Sequence, residues 1–487
     1  GSAPKFPQPG SLLFLLDEHR RTGATPALAA VELTLRNMAL GGIRDHLGGG
    51  FHRYAVDRTW RVPHFEKMLY DNALLATAYL RAWQATGKEE YAAICRQTLD
   101  FLLAEMQDPA GGFYASIDAD ANHVEGSSYV WTFAELDKAL GADAARRFAR
   151  MYGVTVRGNA EAGNNVLYKA ESAASVAESE GLPLGTMLCE LNAARSRLLV
   201  LRRSRPAPAV DRKILTAWNG LALSALAGAG AAFDDRGYRE AACLAADRIL
   251  RRHRVGRVLA RYSLDGAAAG DSFLDDYAYL ANGLLDLYTA TLRERYLAQA
   301  NRLGSEMLRR FGQADGTGIH YAALPASGTG LPVRTRHLPD GATPSPSAVA
   351  WEVLQRLAEI TGSRPFQRAA QALEKDLLLA AQTAPEASLY ALSFASADLS
   401  RQDRVVIVGP AEARGTRALA REASRLARRG TVLVWAPPGA TGRSIRQLSP
   451  LVRDKTMAGG KPTAYICRAG ACLPPVTEAE ELKDALS

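Results

Sequence analysis

Cysteine is scarce in this sequence, with five residues among 487. So few cysteines exclude a disulfide-stabilised scaffold and favour a reducing compartment, and we therefore expect a cytoplasmic protein. Long apolar runs are also missing, since the longest weakly polar stretch, Leu221 to Phe233, is far shorter than the roughly 20 residues that span a bilayer. No signal peptide is visible. The sequence thus predicts a protein with no membrane partner.

Motifs for several kinds of chemistry are absent as well. The sequence has no GxGxxG fingerprint, no phosphate-binding loop and no Gly-x-Ser-x-Gly elbow. Its histidines are not spaced as the ligands of a zinc site are. The acidic residues of loop 108–133 are not followed by the glycine and glutamate that a calcium-binding loop requires. The net charge of +8 is spread along the chain without an aromatic-basic groove motif. We therefore expect no metal, no cofactor and no nucleic-acid partner.

Helical periodicity, in contrast, continues to about residue 381. Very short connections at 87–88 and 362–364 predict antiparallel helical hairpins, and longer connections alternate with them. Six such hairpins predict a mainly α fold, an (α/α)6 barrel over residues 1–400 whose functional mouth lies on the long-loop side. The predicted helices are 11–22, 27–42, 64–87, 89–107, 134–152, 187–203, 215–233, 236–253, 272–292, 294–312, 343–362 and 365–381, with a short one at 172–181.

The pattern changes after residue 400. Val405 to Gly409 and Thr431 to Trp435 read as strands on either side of a helix at 412–428, which predicts a βαβ-like unit. With a third strand at 465–467 and a terminal helix at 477–486, residues 401–487 are interpreted as a small C-terminal α/β appendage. Cys467 and Cys472 do not have Cys-x-x-Cys spacing, so we expect a structural or incidental role for them.

Glycine-aromatic segments recur in the long loops, at Gly49-Gly50-Phe51, Gly111-Gly112-Phe113 and Gly318-Ile319-His320-Tyr321. Their recurrence after successive hairpins favours an internal repeat of extended segments that fold over the mouth. Ordinary hairpin turns are the alternative.

Several predicted helices start with polar and aromatic residues and continue as apolar ones. At 100° per residue, His64, Lys67 and Asp71 would share one helix face. Charged residues are rarely buried without partners, so the polar starts near 64, 215 and 272 predict one cavity at the mouth. Structural alternatives exist: Lys67 and Asp71 as an i,i+4 pair, and Asp275 and Asp276 as helix caps.

Aromatic rings that stack on sugars, combined with carboxylates and amides that bind hydroxyl groups, are typical of a carbohydrate pocket. The expected ligand is a small-molecule carbohydrate. The predicted catalytic residues are His52, His64, Asp71 and Asp276, and the predicted substrate-binding residues are Arg53, Tyr54, Trp60, Glu66, Lys67, Tyr70, Asp118, Asp120, Trp131, Trp218, Asn219, Asp275 and Tyr277.

Long segments of the chain resemble the spermatogenesis-associated protein 20-like family. They are Asp45 to Tyr54, Val62 to Asn72, Leu215 to Gly220, Phe273 to Tyr277, Asp340 to Ser345 and the C-terminal Cys467 to Thr477. The resemblance implies a six-hairpin glycosidase-like barrel related to N-acylglucosamine 2-epimerases. It also implies a thioredoxin-like domain that this chain lacks and that is a candidate partner.

Three functional hypotheses follow. The first is a sugar epimerase or isomerase that uses two histidines as acid and base and needs no cofactor. The second is a glycoside hydrolase that uses a carboxylate pair about 5–10 Å apart. The third is a barrel without catalytic activity that binds a sugar or a protein.

Overall fold

The computed structural model describes residues 3–313, 318–323, 334–396, 403–427, 431–468 and 471–486. The predicted loop at 313–342 therefore lies partly outside the described residues. Within these ranges no helix is both long and apolar enough to cross a membrane. The predicted mainly α class is confirmed, since helices dominate the chain up to Ser396.

The helices are α1 (Pro9–Thr22), α2 (Thr25–Leu40), α3 (Leu69–Thr86), α4 (Glu89–Phe101), α5 (Phe133–Leu140), α6 (Ala142–Tyr152), α7 (Ala173–Ser179), α8 (Leu184–Arg203), α9 (Thr216–Ala232), α10 (Arg236–Arg252), α11 (Leu274–Thr291), α12 (Glu294–Phe311), α13 (Pro346–Thr361), α14 (Arg364–Thr383), α15 (Leu389–Ser396), α16 (Arg414–Leu426), α17 (Arg443–Leu448) and α18 (Ala479–Leu486). The strands are β1 (Tyr54–Ala55), β2 (Pro63–His64), β3 (Lys67–Met68), β4 (Ser116–Ile117), β5 (Asp120–Ala121), β6 (Val124–Glu125), β7 (Val210–Asp211), β8 (Ile214–Leu215), β9 (Arg254–Val255), β10 (Val258–Leu264), β11 (Ala267–Asp271), β12 (Arg404–Val408), β13 (Val432–Ala436), β14 (Thr463–Arg468) and β15 (Ala471–Cys472).

The chain divides into two compact units. Unit 1 comprises Gly1–Pro9, Pro26–Gln107 and Tyr114–Arg212, and unit 2 comprises Gly10–Thr25, Asp108–Phe113 and Lys213–Ser487.

Unit 2 contains three consecutive helical hairpins, α9–α10, α11–α12 and α13–α14. The first helices of these hairpins pack side by side, α9 on α11 and α11 on α13, and are buried on nearly all sides. The second helices bury only one stripe, as expected of an outer layer. Gly220 permits the close approach of α9 to α11, because a Cβ there would lie 2.4 Å from the backbone of Tyr279.

Unit 1 contains the hairpin α3–α4, followed by the shorter helices α5 to α8. The predicted helix 134–152 is two helices, α5 and α6. Gly141 separates them with φ 83° and ψ 155°, a conformation outside the helical region that only glycine adopts readily. The short helix predicted at 172–181 is confirmed as α7.

The predicted start of the helix at residue 64 is wrong. Residues 63–64 and 67–68 are short strands, since β2 pairs with β1 and β3 pairs with β4. Helix α3 begins only at Leu69, so His64 and Lys67 do not share a helix face with Asp71. Tertiary strand pairing here overrides the local helical pattern.

The C-terminal segment of unit 2 has the predicted βαβ arrangement. Strands β12 and β13 are parallel, with α16 between them in sequence, and β14 adds antiparallel to β12. Cys467 and Cys472 form a disulfide that the sequence analysis did not predict. The register of β14 and β15 places the two residues directly opposite each other.

Candidate active site

His64 occupies a short strand in unit 1 and is only partly buried, with 26% of its side chain exposed. The β1–β2 register places it opposite Tyr54, and the two rings stack at 4.8 Å. Its Nδ1 lies 2.7 Å from Glu125 Oε1, and its Nε2 lies 3.7 Å from Glu66 Oε2, beyond hydrogen-bond distance. Because a carboxylate oxygen accepts, Nδ1 donates its hydrogen bond to Glu125, and in the neutral tautomer of the ring the lone pair lies on Nε2.

Glu125 was not predicted as a site residue. It lies on the β5–β6 hairpin, directly opposite Asp120. Asp118 and Asp120 are both exposed, and Asp118 Oδ1 accepts a hydrogen bond from the Asp120 amide at 3.3 Å. The signal available in the sequence was the shared acidic loop, but the strand pairing that aims Glu125 at His64 is tertiary. From the residue types alone, Glu66, Asp71 or Asp276 are the carboxylates expected to orient the catalytic histidines, whereas the carboxylate at Nδ1 of His64 is that of Glu125.

The inner part of the same site consists of Arg53, Glu66, Tyr70 and Asp71. Arg53 Nη1 donates to Glu66 Oε2 at 2.8 Å, and the Arg53 amide donates to the Glu66 carbonyl at 2.8 Å. Asp71 lies in the first turn of α3 with 5% of its surface exposed. Burial raises the pKa of Asp71 to about 8, and nearby Glu66 adds to the rise while Arg53 and Tyr70 oppose it.

Two buried polar atoms in this part of the site have no hydrogen-bond partner among the described residues. They are the Nε of Arg53, a donor, and the Oδ2 of Asp71. Buried polar groups in folded proteins are nearly always satisfied, so both atoms are available for a hydrogen bond to water or to a ligand. We name the set Arg53, Tyr54, His64, Glu66, Tyr70, Asp71 and Glu125 the His64 cluster.

Lys67 does not belong to the His64 cluster, although the sequence analysis predicted that it binds substrate. Its side chain is 1% exposed, and Nζ donates to Asp45 Oδ2 at 2.8 Å and to the Gly49 carbonyl at 3.0 Å. Arg202 binds the same carboxylate at 2.7 Å. Burial alone would raise the pKa of Asp45, but Arg202 and Lys67 hold it well below its usual value. These three residues form a buried ionic cluster.

His52, predicted as a catalytic residue, lies beside this ionic cluster. It is 2% exposed, and Phe65 contributes a carbonyl oxygen 2.8 Å from Nδ1 and an edge-on ring. Burial and, to a lesser extent, the charge of Lys67 together lower the pKa of His52 to about 3. The cavity beside His52 measures about 20 Å³, enough for one water molecule and far too small for a sugar. The imidazole is therefore neutral and packed, not open to substrate.

Trp60 and Trp131, predicted to stack on sugar rings, are 3% and 2% exposed. Lys5 Nζ lies 4.4 Å from the Trp60 ring centre, and the Arg205 guanidinium lies 3.8 Å from that of Trp131. Because a cation covers one face of each ring and the rest of the ring is buried, neither side chain can stack on a sugar. Both predicted roles are corrected to packing.

Unit 2 holds a second pair of carboxylates, Asp275 and Asp276, in the first turn of α11. Arg261 Nη1 donates to Asp275 Oδ1 at 2.5 Å and to Asp276 Oδ2 at 2.9 Å. Asp276 also accepts the backbone amides of Ala217 at 3.2 Å and Phe273 at 2.9 Å. Burial, together with the charge of Asp275, raises the pKa of Asp276 to about 7. These contacts correspond to the helix-capping alternative of the sequence analysis.

The remaining predicted site residues lie in the same unit. Asn219 is fully buried and binds backbone groups of Phe113, and Tyr277 is buried with its hydroxyl accepting the Leu259 amide at 3.3 Å. Trp218 is half-buried in the first turn of α9. The contact of Asp276 with the Ala217 amide brings the starts of α9 and α11 together.

No group of three or more metal-binding side chains occurs within the described ranges.

No family model matches the sequence. The chain is similar to human spermatogenesis-associated protein 20, with 34% identity over 99% of this chain and 66% of that protein. The mouse protein of the same name is 33% identical over the same shares, and an uncharacterized protein of Caenorhabditis elegans is 29% identical over 99% of this chain and 70% of its own. The chain thus spans about two thirds of the length of these curated relatives.

Among solved structures, the chain is similar to cellobiose 2-epimerase from Bacillus thermoamylovorans (TM-score 0.48, 9% identity, 78% of this chain and 77% of that chain). It is also similar to a GH76 alpha-mannanase from Bacteroides thetaiotaomicron (TM-score 0.41, 12% identity, 81% and 74%) and to a D-mannose isomerase (TM-score 0.33, 15% identity, 72% and 85%). The extended sequence match over almost the whole chain confirms the resemblance found in its motifs, and the chain belongs to the spermatogenesis-associated protein 20 family.

Proposed function

We propose that the His64 cluster is the active site of a carbohydrate-active enzyme, a sugar epimerase or isomerase that works without a cofactor. One observation carries the proposal: the cluster combines an imidazole nitrogen with a free lone pair and a buried carboxyl that is protonated at neutral pH. Proton removal and proton return at one sugar carbon require these two groups.

His64 is the base in this proposal. Glu125 fixes its tautomer through Nδ1, so that Nε2 accepts a proton and the carboxylate stabilises the resulting imidazolium. Partial exposure gives a substrate access to Nε2. His52 differs in both respects, because its Nδ1 bonds a backbone carbonyl instead of a carboxylate and its side chain is buried.

Asp71 is the acid. With a pKa of about 8 it carries its proton at pH 7, and the unpartnered Oδ2 offers that proton to a ligand. Arg53, held by Glu66 and with a free Nε, binds the carbonyl oxygen of the opened sugar and stabilises the negative charge that develops there.

The proposed reaction starts from the open-chain aldose. His64 Nε2 takes the proton from C2, and the C2–H electron pair forms an enediolate whose oxygen is neutralised by Arg53. Asp71 then returns a proton to C2 from the opposite face, which gives the epimer, or a proton is delivered to C1, which gives the ketose. In the ketose branch the proton of the C2 hydroxyl moves to O1 as C1 is protonated, so that C2 becomes the carbonyl carbon. Proton exchange between the two groups and solvent restores the enzyme, and no oxidant or reductant is required.

The test is a proton-NMR screen of reducing hexoses and disaccharides in D₂O. We expect the wild-type chain to incorporate deuterium at C2 of at least one sugar. His64→Gln and Asp71→Asn should each lower that rate by about 10²–10⁴-fold, the usual contribution of a positioned acid or base. His123→Gln, which changes an exposed histidine of the neighbouring β5–β6 hairpin, is the matched control and should retain the wild-type rate.

The same spectra separate the alternatives. New reducing ends without deuterium at C2 would support the glycoside hydrolase and overturn the proposed epimerase. Deuteration that continues at the wild-type rate in His64→Gln would remove His64 from the catalytic role.

A further inference from the structure

The disulfide between Cys467 and Cys472 lies at the edge of the C-terminal sheet of unit 2. Strand β15 comes last in the strand order β13, β12, β14, β15 and pairs with β14. Cys472 on β15 is exposed to solvent, and Cys467 on β14 is half-buried. Leu473, the next residue of the chain, is 40% exposed as well. A small thiol in solution can therefore approach this bond while the sheet stays intact.

Other contacts hold the segment that follows Cys472 in place. The Leu473 amide donates to the Ile466 carbonyl at 2.8 Å, and Ala464 and Val476 exchange two backbone hydrogen bonds at 2.8 and 3.0 Å. Helix α18 then buries two leucines in the apolar core of this sheet. The disulfide joins residues only 5 positions apart, and a short loop gains the least stability from a cross-link. The fold of this region therefore does not depend on the bond.

A lysine lies beside the exposed sulfur. Lys455 Nζ is 3.9 Å from Cys472 Sγ and 4.7 Å from the ring centre of Tyr465. The Tyr465 hydroxyl donates to the Thr456 carbonyl at 2.7 Å, so the ring that contacts the lysine is anchored to the residue next to it. A positive charge close to a cysteine sulfur favours the thiolate. When the disulfide is broken, Cys472 is therefore the better leaving group of the two sulfurs.

We propose that Cys467 and Cys472 form a redox-active disulfide, which exchanges with a dithiol while the chain stays folded. Exposed disulfides are the labile and regulatory ones, whereas buried structural bonds resist reduction. This bond is accessible, the fold does not require it, and a neighbouring charge stabilises one of the thiolates that its reduction produces. The disulfide shares no residue with the His64 cluster, so the proposal does not rest on the proposed epimerase.

The exchange takes place in two steps. A thiolate of the dithiol attacks Cys467 Sγ, the S–S bond breaks, and its electron pair leaves on Cys472 Sγ as a thiolate beside Lys455. The second thiolate of the dithiol then attacks the dithiol's own sulfur in the mixed disulfide, which closes a new disulfide and releases Cys467 as a thiolate. Two electrons pass from the dithiol, which is oxidised, to the cysteine pair, which is reduced. The two protons that the dithiol loses are available to the two cysteines.

The experiment is reduction of the wild-type chain by dithiothreitol, in native buffer and in denaturing urea. Samples are quenched with iodoacetamide and digested, and mass spectrometry measures the alkylation of Cys467 and Cys472 over time. A bond that opens only on global unfolding would be reduced about 10³-fold or more slowly in native buffer than in urea. We expect a difference of less than about 10²-fold, because the folded chain exposes the bond. A larger difference would overturn the proposal.

The reduced chain should keep its fold and form the same bond again. We expect the circular dichroism spectrum to be unchanged by reduction. Oxidised dithiothreitol should then restore the pair of Cys467 and Cys472 and leave Cys189, an exposed free cysteine, unpaired. Loss of secondary structure on reduction, or oxidation to a different pairing, would identify a structural bond and would overturn the proposal.

The role of Lys455 has its own test. The Cys472 thiol in Cys467→Ser should react with iodoacetamide at lower pH than the Cys467 thiol in Cys472→Ser, because the lysine favours the Cys472 thiolate. Lys455→Met should abolish this difference and slow reduction of the disulfide about threefold, since the leaving thiolate loses its neighbouring charge. Lys455→Arg should retain both properties, and Lys461→Met, which changes an exposed lysine of the same unit, should behave like wild type. Equal pH profiles of the two single-cysteine variants would overturn the assignment of Cys472 as the leaving group.

Discussion

Asn72 and Asn219 occupy the fourth position of two different helices and make the same three hydrogen bonds. Asn72 Oδ1 accepts the Phe51 amide at 2.7 Å, and its Nδ2 donates to the Phe51 carbonyl and to the carbonyl four residues earlier. Asn219 does the same with Phe113, whose amide it accepts at 2.8 Å. Each asparagine thus fixes one Gly-Gly-Phe segment, which gives a physical basis to the repeat seen in the sequence.

Replacement of either asparagine should be costly. Asn72→Ala and Asn219→Ala each leave a buried backbone amide and carbonyl unsatisfied, so we expect the free energy of unfolding to fall by about 1–3 kcal/mol or more in each. Urea denaturation measures the change. Asn37→Ala is the control, because Asn37 is exposed and bonds only a local carbonyl. Losses no larger than that of the control would contradict the assigned role.

Asp71 should make stability depend on pH. Its folded pKa of about 8 lies above the ordinary value of 3.8, so the folded state binds the proton more tightly than the unfolded state. The free energy of unfolding should therefore fall as pH rises from about 4 to about 8. Asp71→Asn should make the free energy of unfolding less dependent on pH. Its stabilising effect relative to the wild-type chain should be largest near pH 8. Denaturation series at several pH values test this, with exposed Asp137→Asn expected to leave the slope unchanged.

The buried ionic cluster predicts an asymmetry between its members. Asp45→Asn leaves Lys67 and Arg202 buried without a counter-charge, which should cost about 3–5 kcal/mol of unfolding free energy. Lys67→Met should cost less, because Arg202 still neutralises Asp45 and the methionine stem packs against the same neighbours. Chemical denaturation of both variants checks the order. An Asp45→Asn variant as stable as Lys67→Met would argue against a shared carboxylate.

Glycine-to-alanine changes should have opposite effects in two helices. Gly220→Ala places a Cβ 2.4 Å from the backbone of Tyr279 and should destabilise the chain by about 1–3 kcal/mol through overpacking. Gly185→Ala meets nothing within 4 Å and should stabilise α8 by up to about 1 kcal/mol. Melting temperatures of the two variants provide the comparison. A neutral Gly220→Ala would mean that the contact between α9 and α11 is looser than the structure shows.

The sequence by itself determined most of the helices and the hairpins of unit 2. Apolar residues at helical spacing, with breakers between them, located α9 to α14 to within about three residues at each end. The C-terminal βαβ unit was equally visible, because a run such as Val405 to Val408 is apolar on both faces and suits a central strand. These features depend on residues that are close together in the sequence, so a periodic pattern of apolar residues reveals them directly.

Only the tertiary structure decided which of the candidate residues lie together. His64 looked like the start of a helix, but pairing with Tyr54 makes it a strand, and its partner Glu125 comes from a hairpin some 60 positions later. His52 and Lys67 are residue types that suit catalysis and substrate binding, yet both are buried beside Asp45, where they stabilise the fold. Strand pairing and the burial of charge depend on residues far apart in the chain, and for that reason local patterns could name the candidate residues but could not tell which of them are buried in the ionic cluster and which meet in the His64 cluster.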